Sequence, residues 1–373
     1  MHSRRHLIKA LAGVSAGAFL PRVEAQQARQ RVKHSPVMVA GRRVKTVDVH
    51  CHVNVPEVID FLKGTPLEGR AVAAAPSGGQ LQGQSDFRID VPLGPERLQK
   101  MDEMGIDVQA VSINAFWYSA RRDLAARLIE LQNQRLAAMV KAANPERFVA
   151  FASVALQFPE MAAQQLEEGI KHWGLRGAAI GGSVEGEELS SRKFDPFWAK
   201  AEQMQALIFV HPQDSAVATG IRNRVRGNGV LGNVIGNPLE TAMFLSHMIM
   251  EGTLDRFPNL KICAAHGGGY LPSYADRLDR GCLTFPAQCN VTLKKKPTEY
   301  LKQIFVDSLV FSPEALPHLV AVVGPDHIGL GTDYPFPWTS TPVDHVMATL
   351  GLSDADREAI LGGTLSKLLH IAA

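Results

Sequence analysis

Five residues raise a chemical question before any element is drawn. His50 and His52 stand two apart in "KTVDVHCHVN", His211 closes "FVHP", His266 opens "HGGG", and Asp333 sits in "GTDYPFP". Imidazole and carboxylate are the donors that a divalent transition ion such as zinc accepts. Three imidazoles and one carboxylate make a sufficient set, and one further imidazole is left to move a proton. A single histidine of this kind is ordinarily a hydrogen-bonded structural residue. What sets these apart is a shared context, because each lies at the end of a short apolar run. Alternate residues of a strand face one side, so His50 and His52 are expected to project together as two ligands of one metal.

The positioning elements follow from the apolar runs. Eight read as strands: 46–52, 108–114, 147–154, 175–182, 206–212, 260–268, 304–310 and 327–335. Between them lie segments of helical period. "PERLQKMDEMG" puts Leu98, Met101 and Met104 on one face, and the stretch after Arg121 repeats Leu124, Leu128 and Leu131. Strand–helix alternation repeated eight times predicts a (β/α)8 barrel with the metal site at the C-terminal strand ends. A doubly wound open sheet is the other arrangement, but no G-x-G-x-x-G follows the first strand. Two long polar loops, 63–88 and 213–238, leave the C-terminal ends of the first and fifth strands, the face on which barrel enzymes carry their sites. "HGGG" could also serve an esterase, but no G-x-S-x-G elbow accompanies it. The three glycines are read instead as letting the backbone pass close beneath a ligand. "AAIGG" offers no lysine to bridge a second metal, so one metal is expected. His172, His247, His318, His327 and His345 fall on helices or at strand starts, where packing or surface roles are expected.

Residues 1–25 read as a twin-arginine export signal: Arg4-Arg5, a mild apolar run too short to span a bilayer, and "VEA". An N-terminal extension covers 26–45 and the barrel 46–373. The chain has 39 Lys+Arg and 37 Asp+Glu. The leader holds Arg4, Arg5, Lys9 and Arg22 against Glu24, leaving 35 against 36. A near-neutral body is not the electrostatic footprint of a nucleic-acid binder, and no other segment reaches membrane-spanning length. A periplasmic or otherwise exported protein is expected. Cys51, Cys263, Cys282 and Cys289 show no CxxC spacing; export permits a disulfide, with Cys282 and Cys289 the near pair, but free thiols are the expectation.

At these motifs the chain resembles the amidohydrolase superfamily, and within it the decarboxylases of the amidohydrolase-2 branch. The resemblance runs from about Val44 to Leu369 and rests on "DVHCH", "FVHP", "NPLETAMFLSHMIMEG", "AHGGG", "FVDSLVFSP" and "GLGTDYPFP". It implies that His50, His52, His211 and Asp333 hold one divalent metal, zinc first and manganese second, with Asp333 also counted as catalytic. It implies that His266 poises a metal-bound water, that Arg88 of "DFR" contacts a substrate carboxylate, and that Arg277 reaches the site of a neighbouring subunit in a homodimer. The implied activity is non-oxidative decarboxylation of an unsaturated or aromatic acid, a small-molecule carboxylate. Hydrolysis of a lactone or amide on the same ligands is the alternative, and a non-enzymatic metal carrier a third. "HPQD" departs from the family decarboxylase by placing Gln213 where that enzyme has an aromatic residue, so the chemistry transfers more readily than the substrate.

Overall fold

The computed structural model describes residues 35–70, 91–213, 224–225, 230–289 and 293–372. The export signal, Arg88 and most of the two long loops lie outside the described residues. All eight expected strands are present, shorter than the apolar runs: β1 (Val47–His52), β2 (Val108–Ser112), β3 (Phe148–Ala150), β4 (Gly177–Ile180), β5 (Leu207–Val210), β6 (Lys261–Ala264), β7 (Ile304–Asp307) and β8 (Ile328–Gly329). They pair in parallel as two sheets, β1-β2-β3 and β4-β5-β6-β7-β8. Isolated parallel bridges join the sheets, Ala152 with Ala178 on one side and Asp48 with Leu330 on the other. At the second seam the Val49 N–H donates to the Leu330 carbonyl at 2.9 Å. The ring thus closes as a barrel, as a β-strand followed by a helix repeated eight times requires.

The helices between the strands are α1 (Pro95–Met104), α2 (Arg122–Ala143), α3 (Pro159–Lys171), α4 (Asp195–Gln203), α5 (Asn237–Met250), α6 (Leu271–Thr284) and α7 (Ala315–Val323), and α8 (Thr364–Leu368) comes last. Proline at the first or second position opens α1, α3, α4, α5 and α6, where its missing N–H costs nothing. Gly105 ends α1 in the left-handed conformation that favours glycine.

Two apolar shells follow. The outer one, between strands and helices, is the larger. The inner one fills the barrel with Val47, Val49, Phe151, Phe209 and Cys263, and α8 closes its floor with Leu365 and Leu368. Phe151 and Phe209 stack at 5.8 Å between centroids. A packed interior of this kind leaves chemistry to the rim.

Strict alternation fails in β1, and the failure matters. Asp48 pairs with Gln109 but Cys51 pairs with Val111, so β1 carries one extra residue there, a β-bulge. Val47 and Val49 belong to the inner shell, whereas Cys51 packs in the outer one. The bulge inverts the parity. It lets two valines fill the lower barrel while the two histidines above them also face inward.

Candidate metal centre

The bulge delivers His50 and His52 to the upper end of the barrel. His211 follows β5 directly, and His266 and Asp333 lie just past β6 and β8. His50 is completely buried, and His52, His211 and Asp333 nearly so. One donor atom from each of His50, His52, His211 and Asp333 falls within 4.8 Å of all the others. Asp333 Oδ1 lies 2.9 Å from His52 Nε2 and 3.2 Å from His50 Nε2. The imidazoles of His50, His52 and His211 stand 4.6–5.2 Å apart, edge to face. Asp333 reaches this point through a left-handed backbone, φ 60°, with its N–H donating to the His50 carbonyl at 2.6 Å. Such a conformation is costly for a non-glycine residue and gathers at functional sites.

The donor set fits a divalent cation. Buried imidazole nitrogens ordinarily have hydrogen-bond partners, yet His211 Nδ1 has none, and His50 Nε2 has only Asp333 Oδ1 at 3.2 Å, itself one of the four donors. Electrostatics agree. Burial opposes charge on His50, but the carboxylates of Asp333 and Asp307 outweigh it and push its pKa up to about 10. Burial also works against the charge on Asp333, but His50 and His52 overcome it and hold this carboxyl well below its usual range. Two buried carboxylates thus demand positive charge at one point; without a metal, a protonated His50 answers them.

His266 completes the cluster, 5.1 Å from the His50 ring and 5.4 Å from His211. Its Nδ1 is buried without a partner. Burial first, then the charge of His50, hold its pKa down at about 4. Its backbone is also left-handed, φ 57°, and Gly267–Gly269 continue in that region. Gly267 and Gly269 also pass close against protein. A Cβ on Gly269 would sit 2.1 Å from the Pro238 carbonyl oxygen in the first turn of α5, and one on Gly267 2.7 Å from Val310. Gly269→Ala is therefore expected to force α5 away and lower stability by about 1–3 kcal/mol for the overpacking alone, with further loss from the positive φ. Thermal unfolding checks this; an unchanged melting temperature would show that α5 yields freely.

Asp307, at the end of β7, was not singled out by sequence reasoning although "FVDSLV" contains it. It is fully buried and accepts four hydrogen bonds. Oδ2 takes His50 Nδ1–H at 2.6 Å and the His266 N–H at 2.9 Å; Oδ1 takes the N–H groups of Gly267 at 2.7 Å and Leu309 at 3.0 Å. By holding one proton of His50 on Nδ1 it leaves Nε2 as the nitrogen that would give up its proton to a cation, the usual arrangement of an outer partner and a metal-binding histidine. The polar end of an apolar strand run was the available signal.

The remaining predicted site residues lie elsewhere. Arg277 is exposed on α6, in a shallow groove with Tyr270, Tyr274 and Met250, away from the donor cluster of its own chain. Gln213 lies over Gly181 at the end of β4. Cys282 and Cys289 form a disulfide, which corrects the expectation of free thiols there; Cys51 and Cys263 are free and buried. No helix among the described residues is long and apolar enough to cross a membrane.

The sequence profile of the amidohydrolase family matches residues 47–371. The chain belongs to the amidohydrolase family. Among its relatives, this amidohydrolase is 33% identical to 2-amino-3-carboxymuconate-6-semialdehyde decarboxylase of Dictyostelium discoideum, over 74% of its own length and 76% of the other. It is 29% identical to gamma-resorcylate decarboxylase of a Polaromonas species, over 74% and 86%. The crystal structure of 5-carboxyvanillate decarboxylase from Sphingomonas paucimobilis superposes with a TM-score of 0.76 at 24% identity, covering 88% of this chain and all of the other. That of a Polaromonas dihydroxybenzoic acid decarboxylase with bound manganese and 2-nitroresorcinol gives 0.75 at 24%, covering 88% and 97%. These likenesses bear out the barrel.

Proposed function

We propose that this amidohydrolase is a metal-dependent carboxy-lyase that removes carbon dioxide, without oxidation, from an aromatic or unsaturated carboxylic acid. The observation that carries the reading is the buried His50–His52–His211–Asp333 cluster with a fourth imidazole, His266, beside it, in a chain aligned over most of its length with named decarboxylases. Decarboxylation breaks the bond between carbon and the leaving carboxylate, leaves the electron pair on that carbon, and needs a proton there. His50, His52, His211 and Asp333 would hold a divalent cation, which when bound would supply Lewis acidity to the substrate. The protein residues do the rest. Asp333 also shares the charge at that point. His266 Nδ1 or Nε2 carries the proton. Arg88, and Arg277 from a neighbouring chain, clamp carboxylate with forked hydrogen bonds. The apolar barrel floor excludes water from below. Zinc suits imidazole-rich donors; manganese is the second assignment, and elemental analysis decides between them.

The test is product analysis on candidate hydroxylated benzoates and aminocarboxymuconate-type acids. Carbon dioxide release with solvent deuterium on the vacated carbon supports the reading. Oxygen-18 from water in the product, with no carbon dioxide, would establish the hydrolase alternative.

A second copy of the chain is the partner that α6 fits. Tyr274, Leu283 and Phe285 are each more than 60% exposed on or just after that helix, apolar side chains that a second copy could cover. Two inactive variants test the shared site. His50→Ala lacks a ligand but keeps Arg277; Arg277→Ala keeps its ligands. Mixed with subunit exchange, they are expected to recover about a quarter of wild-type activity, since half the dimers are mixed and each has one complete site. No recovery despite proven exchange would refute the shared site. We infer export from the twin arginines, and a Cys282–Cys289 pair suits an oxidising compartment. Fractionation of the Arg4→Lys, Arg5→Lys protein against wild type checks it.

A further inference from the structure

Arg97, in the first turn of α1, is completely buried on the same helix face as Met101 and Met104. Arginine is seldom fully buried unless paired. No ion pair joins Arg97 to a carboxylate among the described residues, and its Nη2 has no partner. The other donors are committed. Nη1 donates to the His52 carbonyl at 2.8 Å, with a longer contact to that of Val91 at 3.4 Å. Nε donates to Gln109 Oε1 at 2.7 Å, and Gln109 Nε2 donates to Asp48 Oδ2 at 3.0 Å. Asp48 then accepts the Thr332 hydroxyl at 2.7 Å, and its Oδ1 accepts the N–H groups of Thr332 and His50, both at 3.1 Å. The guanidinium also lies 4.8 Å over the Tyr334 ring.

The chain of bonds therefore runs from α1 through β2 to both edges of the metal cluster. Its end points are the backbone of His50, the backbone of His52, and the residues on either side of Asp333. Three of the four donors are tied to one guanidinium, and the Asp48–His50 bond lies inside the bulge that turns both histidines inward.

We propose that Arg97 is a positioning residue for the metal centre: acting through Gln109 and Asp48, it holds the bulged end of β1 and so sets the spacing of the His50 and His52 donors. This rests on the reading of that cluster as a metal centre. The amide between the two charges lets each be satisfied by hydrogen bonds without direct ion pairing, so the clamp is geometric.

The test is cobalt binding by the full chain, read by the visible absorption of bound Co2+ and by competition with a chromophoric chelator. Gln109→Met, nearly isosteric, cuts the relay without removing a backbone bond. Arg97→Lys keeps a charge but loses the fork. Both are expected to weaken cobalt binding roughly 10–100-fold, the size usual for an outer partner of a ligand, and to alter the absorption envelope, while apo Gln109→Met retains the wild-type circular dichroism. Wild-type affinity and absorption in folded Gln109→Met would overturn the proposal, whatever Arg97→Lys does. A wild-type chain that binds no cobalt would instead overturn the metal reading beneath it.

Discussion

His50→Ala is expected to empty the site and stop turnover together, with metal falling from about one per chain to near zero. The cluster has four donors of one kind of burial, and removing one leaves a cavity in which the Asp333 and Asp307 carboxylates have lost their shared imidazole neighbour. His266→Ala is expected to behave differently. His266 stands outside the four-donor group, so metal should remain while turnover falls by roughly 10²–10⁴, the usual size of an acid–base contribution. Metal content, melting temperature and turnover, measured on both variants, separate the roles. Metal loss in His266→Ala equal to that in His50→Ala would make His266 a ligand. A fall in melting temperature that accounts for all the lost activity would make it structural.

Asp307→Asn is the other large effect. An amide offers one acceptor oxygen, whereas Asp307 uses two, each accepting two N–H donors. Turned one way, its NH2 meets the N–H groups of Gly267 and Leu309; turned the other, it meets the His266 N–H and drives the proton of His50 from Nδ1 to Nε2. Leaving buried donors unsatisfied around a former charge is expected to cost on the order of 3–5 kcal/mol, and metal affinity should fall by roughly 10–100-fold because His50 loses its orienting partner. Denaturation with and without chelator separates the two losses. A variant as stable as wild type would mean that the donors around Asp307 find water, and that its role in the fold is slight.

Much of this was legible in the sequence, for identifiable reasons. Eight apolar runs separated by helical periods specify alternating strands and helices, and short-range pattern is what survives when a barrel is written as a line. His50, His52, His211 and Asp333 could be gathered because each marks the end of such a run. The bulge in β1 could not be read, because a period-two pattern assumes unbroken register and the extra residue shows only against β2. Arg97 was not singled out: helical period puts it on the face of Met101 and Met104, but the pattern does not reveal that its head reaches the His52 carbonyl. Asp307 was not singled out either, because its partners after β6 and on β1 are distant in the chain. The glycines after His266 mark close approaches within the protein, Gly269 to α5 and Gly267 to Val310.

The seam between β8 and β1 has a consequence for the order in which this protein can come into being. His52 and Asp333 are separated by 281 residues, and the same seam is sealed by the Val49 and His52 N–H groups reaching the carbonyls of Leu330 and Tyr334. A nascent chain halted before β8 would carry every imidazole of the cluster on strands still missing their last neighbour, with no carboxylate to complete the set. The four-donor set is therefore completed late, once nearly the whole polypeptide has left the ribosome and its first strand has met its last.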